Sequence, residues 1–315
     1  MIIQIPCFCE EASLPVTLAA LPRTLPGVDV LEWMIVDDGS TDRTVAVAEE
    51  LGVQHIVRLG RHLGLAHAFE RGIHSALRMG ADIIVNTDAD NQYCADDIVN
   101  IIAPILANRA DIVIGARATD QIPHFSLTKR VLQKTGSWVV RKVSGANVMD
   151  APSGFRAFNR EACLSLHIFS RYSYTIETII QARLNNFRIL SVPVRTMPDL
   201  RPSRLATGIP QYIFRSTETL FRVFVIYYAF RYFLVLSLIN LMVGLAIGIR
   251  FLYFMSLHKG NGHIQSLQLS AIFCVLSFIL FSLAVLGDVI AVNRKLLEKI
   301  DLTISLSDLR NVKEE

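Results

Sequence analysis

The sequence predicts an α/β domain, an open and mostly parallel sheet covered by helices, followed by an amphipathic juxtamembrane helix and a two-helix transmembrane hairpin. Three observations carry this. Short apolar, β-favouring runs alternate with helical segments through the first ninety or so residues. Acidic and other polar residues collect at the carboxyl ends of those runs, the edge at which open α/β sheets bind ligands. The 315 residues are 52% hydrophobic and only 19% charged, with a mean hydropathy of +0.40. That is too apolar for one soluble globule, and the excess lies between about Gln211 and Val292.

In order along the chain, Ile2 to Ile5 reads as a strand stopped by Pro6. Cys7-Phe8-Cys9-Glu10-Glu11 follows as a loop, and a helix begins near Ser13, where Ser13-Leu14-Pro15 has the order of an N-cap and an early-turn proline. A second strand, Trp33 to Val36, runs into Asp37-Asp38-Gly39-Ser40-Thr41-Asp42, and Thr44 to Leu51 reads as a helix. A third, around His55 to Arg58, leads through Gly60-Arg61-His62-Leu63-Gly64-Leu65-Ala66 into a helix that reaches Leu77.

The fourth strand begins at Ile83 and is expected to end at Asp88, within Asp88-Ala89-Asp90-Asn91-Gln92. Two carboxylates one residue apart repel each other, and the spacing points to a divalent metal bridging them to a phosphate. A solvated Asp-rich turn is the alternative for that motif taken alone. Asp111 to Arg117 is another strand, delivering an arginine at its end. After a loop with Pro123, Lys129-Arg130 opens a helix, and Asp150-Ala151-Pro152-Ser153-Gly154-Phe155-Arg156-Ala157-Phe158 follows. Tyr174 to Ile180 reads as a helix carrying Glu177, and Ile189 to Val194 as a last strand. Arg201-Pro202-Ser203-Arg204 closes the soluble domain, which spans residues 1–205.

Several function classes drop out. Gly-x-Gly-x-x-Gly is missing after the first strand, and so is any Gly-x-x-x-x-Gly-Lys-Ser/Thr loop. Neither a dinucleotide-binding dehydrogenase nor a P-loop enzyme is supported, and phosphate has to be held by metal. A net charge of +3 with a pI near 8.6 and no aromatic-studded basic stripe argues against nucleic acid. Five scattered cysteines fit a reduced, cytoplasmic setting, and Cys7 and Cys9 lack partners at zinc-site spacing. No basic region precedes an apolar run at the N-terminus, so a cleaved signal peptide is not expected.

In the juxtamembrane segment, residues 206–231, Arg215, Glu218 and Arg222 fall on one helical face while Phe214, Phe221, Val225 and Tyr228 line another. A hairpin occupies residues 232–292, its uncharged runs Tyr232 to Ile249 and Ile264 to Gly287 placing the spans at about 232–252 and 266–289. Arg215, Arg222 and Arg231 precede it, and Arg294, Lys295 and Lys299 follow it. By the positive-inside bias both termini and the soluble domain face the cytoplasm, as in an integral protein of a cytoplasmic or inner membrane. The tail, residues 293–315, reads as a cytoplasmic helix.

Pro6-Cys7-Phe8-Cys9-Glu10-Glu11, Val36 to Asp42, Asp88 to Gln92 and Ser153-Gly154-Phe155-Arg156-Ala157, in this order, resemble a family 2 glycosyltransferase of the GT-A fold. With two C-terminal spans the chain is similar to polyprenyl-phosphate glycosyltransferases, the group that includes dolichol-phosphate mannose synthases. The resemblance implies a nucleotide pocket at Pro6, Phe8, Glu10, Val36, Asp38, Asp88 and Ala89. It implies Mg²⁺ or Mn²⁺ at Asp88, Asp90 and Gln92, all oxygen donors, with Asp90 and Gln92 in direct contact and Asp88 toward the nucleotide. An acceptor-phosphate clamp falls on Arg117, Lys129, Arg130, Arg201 and Arg204. Asp90, Arg117 and Arg130 thereby become catalytic candidates, joined by Asp150 and Glu177 as groups that orient sugar or acceptor or act as a supporting base; capping or an arginine pair is the alternative for those two acids.

This sequence departs from the family's pattern at Cys9, usually asparagine, and Phe8, usually tyrosine, and lacks the processive Gln-x-x-Arg-Trp signature after Glu177. The activity implied is inverting transfer of a sugar from a UDP- or GDP-linked donor to a polyprenyl phosphate at a lipid bilayer, with homo-oligomerisation left open. A glycolipid or diacylglycerol acceptor, or a membrane subunit that binds nucleotide-sugar without turnover, are the alternatives.

Overall fold

Most strands of this chain are apolar at consecutive positions because both faces of the sheet are covered. The computed structural model describes residues 1–117, 136–138, 140–142, 144–168, 174–198, 209–257 and 264–314, with the backbone alone for 209–227 and most of 295–314. The strands are β1 (Ile2–Cys7), β2 (Glu32–Asp37), β3 (His55–Arg58), β4 (Ile83–Asn86), β5 (Ile112–Arg117), β6 (Arg156–Asn159) and β7 (Ile189–Val194). They form one sheet of seven in the order β3-β2-β1-β4-β6-β5-β7. All neighbours are parallel except β6, which runs antiparallel between β4 and β5.

Strand β4 stops two residues short of Asp88, where the sequence reading ended it. Its last bond to β1 runs from the Thr87 N–H to the Gln4 carbonyl at 3.1 Å. The next rung of a parallel ladder would need an N–H at Pro6, which has none. The acids therefore lie in a loop beyond the sheet.

Alternate side chains on each strand serve opposite faces. Met34, Val36, Ile84, Ile114 and Phe158 pack with α3 (Leu65–Arg78) and α6 (Thr175–Leu184), whereas Trp33, Ile35, Val85, Val113 and Ala157 pack with α1 (Leu14–Ala20) and α4 (Ile98–Leu106). Helices α2 (Thr44–Glu50) and α5 (Arg160–Leu164) fill gaps at the margins. Helix α3 buries Phe69, Ile73, Ala76 and Leu77 at helical spacing. Gly72 lets it settle on the sheet, since a Cβ there would strike Gln4 Oε1 and come within 2.9 Å of Val36 Cγ2. Ser13 stands at the start of α1 but caps nothing with its side chain; its hydroxyl donates to Glu10 Oε2 at 2.5 Å instead.

Two long helices end the chain, α7 (Ile209–Ser256) and α8 (Ile264–Glu314). Backbone at Tyr228 (φ −127°, ψ 15°) is not helical, so α7 is two helices joined at a kink. Tyr228–Ser256 and Ile264–Arg294, 29 and 31 residues, are long and apolar enough to cross a membrane, and each extends beyond the limits read from hydropathy. The chain divides into Met1–Leu220 with Asp301–Glu315, and Phe221–Ile300. Within the second unit small residues form the seam. Ser237 and Ser277 each donate to the other's carbonyl at 2.9 Å, Ser270 Oγ donates to the Gly244 carbonyl at 2.7 Å, and a Cβ at Gly244 would lie 3.0 Å from Cys274 Sγ. Large apolar side chains such as Met242, Phe278 and Ile290 point away from that seam and are exposed.

Candidate active site

Strands β1, β2, β4 and β5 all run the same way, so the loops after them meet at one edge of the sheet. This brings Glu10, Asp38, Asp88–Gln92 and Arg117 together from four separate stretches of chain.

On the β1 and β2 side, Pro6 and Val36 are paired in register and buried, and the Asp38 N–H donates to the Cys7 carbonyl at 2.9 Å. Glu10 is buried beneath them and takes the Ser13 hydroxyl. The Asp38 carboxylate is also buried, accepting from the Leu63 N–H at 2.7 Å and the Gly64 N–H at 2.8 Å, with His62 Nδ1 at 2.8 Å. Gly39 (φ +76°) makes that approach feasible: a Cβ there would fall 2.6 Å from the Arg61 carbonyl carbon. His62 is thereby laid on Phe8, ring centroids 4.0 Å apart at 28°. Nothing in a single sequence marks residue 62 as a neighbour of Phe8; the fold creates that pair.

The acidic loop is stiff at several points. Asn91 has φ 54°, and the Gln92 N–H donates to Asp90 Oδ1 at 3.2 Å in an Asx turn. Asp88 lies against Gly154 so closely that a Cβ there would be 3.0 Å from both carboxylate oxygens. Ala89 is buried, and its carbonyl accepts from Thr17 Oγ1 at 2.8 Å. Behind the loop, Tyr93 stacks on Phe155 and its hydroxyl accepts the Gly154 N–H at 3.1 Å; burial pushes its pKa up to about 12. Asn86 donates to the Gly154 carbonyl at 2.9 Å and to Tyr174 Oη at 2.8 Å.

Among the described residues no three His, Cys, Asp or Glu side chains are grouped to hold a metal by themselves. Asp88, Asp90 and Gln92 nevertheless fit a hard divalent ion, which takes one or two carboxylates and completes its shell with water and phosphate oxygens. Gln92 Oε1 accepts from Arg117 Nη1 at 3.4 Å, so the acidic loop and the arginine meet directly.

Arg117 is itself held. Its Nε donates to Asp150 Oδ2 at 2.7 Å and its Nη2 to Asp150 Oδ1 at 3.2 Å, a bidentate pair with Asp150 only 2% exposed. Burial works against the guanidinium charge, but the Asp150 carboxylate beside it outweighs burial and holds its pKa above the ordinary value. Of the two readings open for Asp150, the geometry is that of the arginine pair. Glu177 is in α6 and buried at 1% exposure. Lys129, Arg130, Arg201 and Arg204 lie outside the described residues.

Arg156 had no assigned role in the sequence. It is fully buried, donating to the carbonyls of Ala151 (2.7 Å), Ser153 (2.8 Å) and Thr175 (2.8 Å) and to Thr178 Oγ1 (2.7 Å). Burial lowers its pKa to about 10. It ties the Ala151–Gly154 turn, which walls Asp88, to the first turn of α6.

Residues 2–166 match the family model described as glycosyl transferase family 2, more than half of the chain. The chain belongs to glycosyl transferase family 2. It is 27% identical over 230 residues to the polyprenol monophosphomannose synthase of Mycolicibacterium smegmatis, covering 69% of this chain and 85% of that one. It is 31% identical over 185 residues to a UDP-N-acetylglucosamine–dolichyl-phosphate N-acetylglucosaminyltransferase of Methanococcus voltae, covering 52% and 74%. Among solved structures, glucosyl-3-phosphoglycerate synthase of Mycobacterium tuberculosis, determined with Mn²⁺, UDP-glucose and phosphoglyceric acid, superposes with a TM-score of 0.55 at 19% identity over 71% of this chain and 78% of that one.

This family 2 glycosyltransferase therefore has a GT-A-like sheet followed by two long apolar helices. Its curated relatives include enzymes named for sugar transfer to polyprenyl and dolichyl phosphates.

Proposed function

We propose that the protein transfers a sugar from a UDP- or GDP-linked donor to a polyprenyl phosphate, inverting the anomeric carbon, from a catalytic domain and termini on the cytoplasmic side of the membrane. The observation that carries this reading is the junction of the acidic loop with an arginine at one sheet edge, Arg117 Nη1 to Gln92 Oε1, in a chain with two spans of membrane length.

On this reading Phe8 offers a face to the base and Glu10 and Asp38 polar edges to base and ribose. Asp88, Asp90 and Gln92 hold Mg²⁺ or Mn²⁺, which when bound neutralises the charge developing on the departing diphosphate. Arg117, with Lys129, Arg130, Arg201 and Arg204, binds the acceptor phosphate. A phosphate monoester has a second pKa of about 6 and is mostly dianionic near neutrality, so it attacks without a protein base. One of its oxygens bonds to the anomeric carbon as the bond to the nucleoside diphosphate breaks. Asp150 keeps Arg117 aimed at that oxygen instead of taking a proton.

A panel of radiolabelled UDP- and GDP-sugars, each offered with polyprenyl phosphate or diacylglycerol and with Mg²⁺ or Mn²⁺, tests this. Label entering the lipid phase only with polyprenyl phosphate is expected. Transfer to diacylglycerol alone would select the other acceptor class, and donor binding without transfer to either would select the non-catalytic subunit.

A further inference from the structure

The segment that leaves β7 is laced to the back of the acidic loop. The Met197 N–H donates to the Gln92 carbonyl at 2.8 Å, the Cys94 N–H donates to the Arg195 carbonyl at 3.2 Å, and Tyr93 and Thr196 form an antiparallel bridge. This three-residue strap is itself anchored. The Arg195 N–H donates to Asp97 Oδ2 at 2.6 Å, and the Arg195 guanidinium grips the same carboxylate through Nη2 at 3.0 Å and Nε at 3.2 Å. The Asp97 side chain is 5% exposed and also takes Asn100 Nδ2 at 3.1 Å, which fixes it to the start of α4. Arg195 sits just past the end of β7, and Asp97 lies five residues beyond Gln92.

We infer that Arg195 and Asp97 are positioning residues for the metal and diphosphate site. They clamp the strap at 195–197, and the strap sets the backbone of Gln92, hence the placement of the Gln92 amide and of the Asp90 carboxylate that caps the Gln92 N–H. Neither residue touches substrate. Their effect passes through the main chain of one loop, as outer partners of metal ligands act elsewhere. The inference rests on the reading of Asp90 and Gln92 as metal ligands. It adds that residues 195–197, just past β7, are part of the catalytic edge.

The test is calorimetric titration of the purified, full-length protein with Mn²⁺ in the presence of UDP or GDP, beside titration with UMP or GMP in the absence of metal. Asp97→Asn and Arg195→Gln should weaken Mn²⁺ binding about 10-fold, in line with outer-shell losses at metal sites, while monophosphate binding, measured well below each variant's melting transition, stays near wild type. Met197→Pro, which removes the N–H to Gln92 and leaves the ion pair, should reproduce the Mn²⁺ effect, and Arg195→Lys should recover part of it. Unchanged Mn²⁺ affinity in all of these, with Asp90→Ala abolishing it, would overturn the clamp and spare the metal site. Unchanged affinity in Asp90→Ala as well would overturn the metal site itself. Equal losses of Mn²⁺ and monophosphate binding together with a lowered melting temperature would reduce the clamp to a fold-stabilising pair.

Discussion

Both carboxylate oxygens of Asp150 accept hydrogen bonds from the Arg117 guanidinium, at 2.7 and 3.2 Å, in a nearly dry setting at the end of β5. An ion pair so placed costs desolvation to form, and losing one partner leaves the other charge buried and uncompensated. Asp150→Ala is therefore expected to destabilise the protein by roughly 3–5 kcal/mol, and Arg117→Ala by a similar amount, with the double substitution costing less than the sum. Thermal unfolding of the three variants checks this. A strictly additive double variant would mean the pair contributes no coupling.

Asp150 acting as a proton acceptor makes a different prediction from Asp150 holding an arginine. Under the second account Asp150→Asn keeps one acceptor for Arg117, so the acceptor-lipid KM should rise several-fold while the pH dependence of kcat keeps its shape. A base lost from kcat would show instead as removal of a limb from the pH profile.

Gly154→Ala introduces a methyl 3.0 Å from both oxygens of Asp88 and 3.2 Å from Tyr174 Oη. Real Cβ contacts rarely come that close to a carboxylate held on rigid backbone, so Asp88 has to move. Donor KM is expected to rise about 10-fold, the scale seen when a ligand's support is disturbed, with melting temperature shifted far less than by Asp150→Ala. Steady-state kinetics over a donor titration decides it.

Arg156→Met removes the donor to four oxygens at the centre of the fold, three of them main-chain carbonyls. Each buried acceptor left unmade costs about 1–3 kcal/mol, so this variant should be among the most destabilised in the chain even though no substrate reaches the residue. Arg156→Lys, with fewer donors and no planar fork, should recover only a minor part. Expression level and melting temperature measure both.

Acid sensitivity has a traceable source. Hydrogen bonds from Arg188 to Asp111, at 2.8–3.0 Å, hold that carboxyl below its usual range, helped by Asn159. A depressed folded-state pKa means stability that is present above the unfolded value, about 4, and lost as pH falls through the folded one. Asp111→Asn should lower the melting temperature at pH 7, and the gap from wild type should narrow as pH falls below about 4, which a pH series of melts would show.

The sheet's first four strands and the acids at their carboxyl ends were legible because parallel strands buried on both faces announce themselves as apolar runs ending in polar turns. β6 was not, because Arg156-Ala-Phe-Asn159 carries an arginine where a central strand should be apolar, and only the fold reveals that four oxygens wrap that charge. The end of β4 was misplaced for want of one fact, the register that sets Pro6 opposite the next rung. Asp38 was legible as an acid at a strand's carboxyl end, but not its bonds to Leu63, Gly64 and His62, which depend on Gly39 letting a distant loop close in. Long-range pairs such as Phe8 with His62 or Asp97 with Arg195 carry no local signature, since neither helical nor strand periodicity links residues so far apart.

The product expected of this protein is a sugar on a lipid monophosphate. The most direct measurement is mild-acid treatment of the radiolabelled lipid extracted after incubation with the donor that the panel selects and with polyprenyl phosphate, run for wild type beside Asp90→Ala. Metal-assisted transfer to a polyprenyl phosphate predicts that wild type forms a lipid whose label is released quantitatively as free sugar by mild acid, and that Asp90→Ala forms at least about 100-fold less, the loss expected when electrostatic stabilisation of a leaving group is removed. An acid-stable lipid product, or full activity in Asp90→Ala, would contradict it.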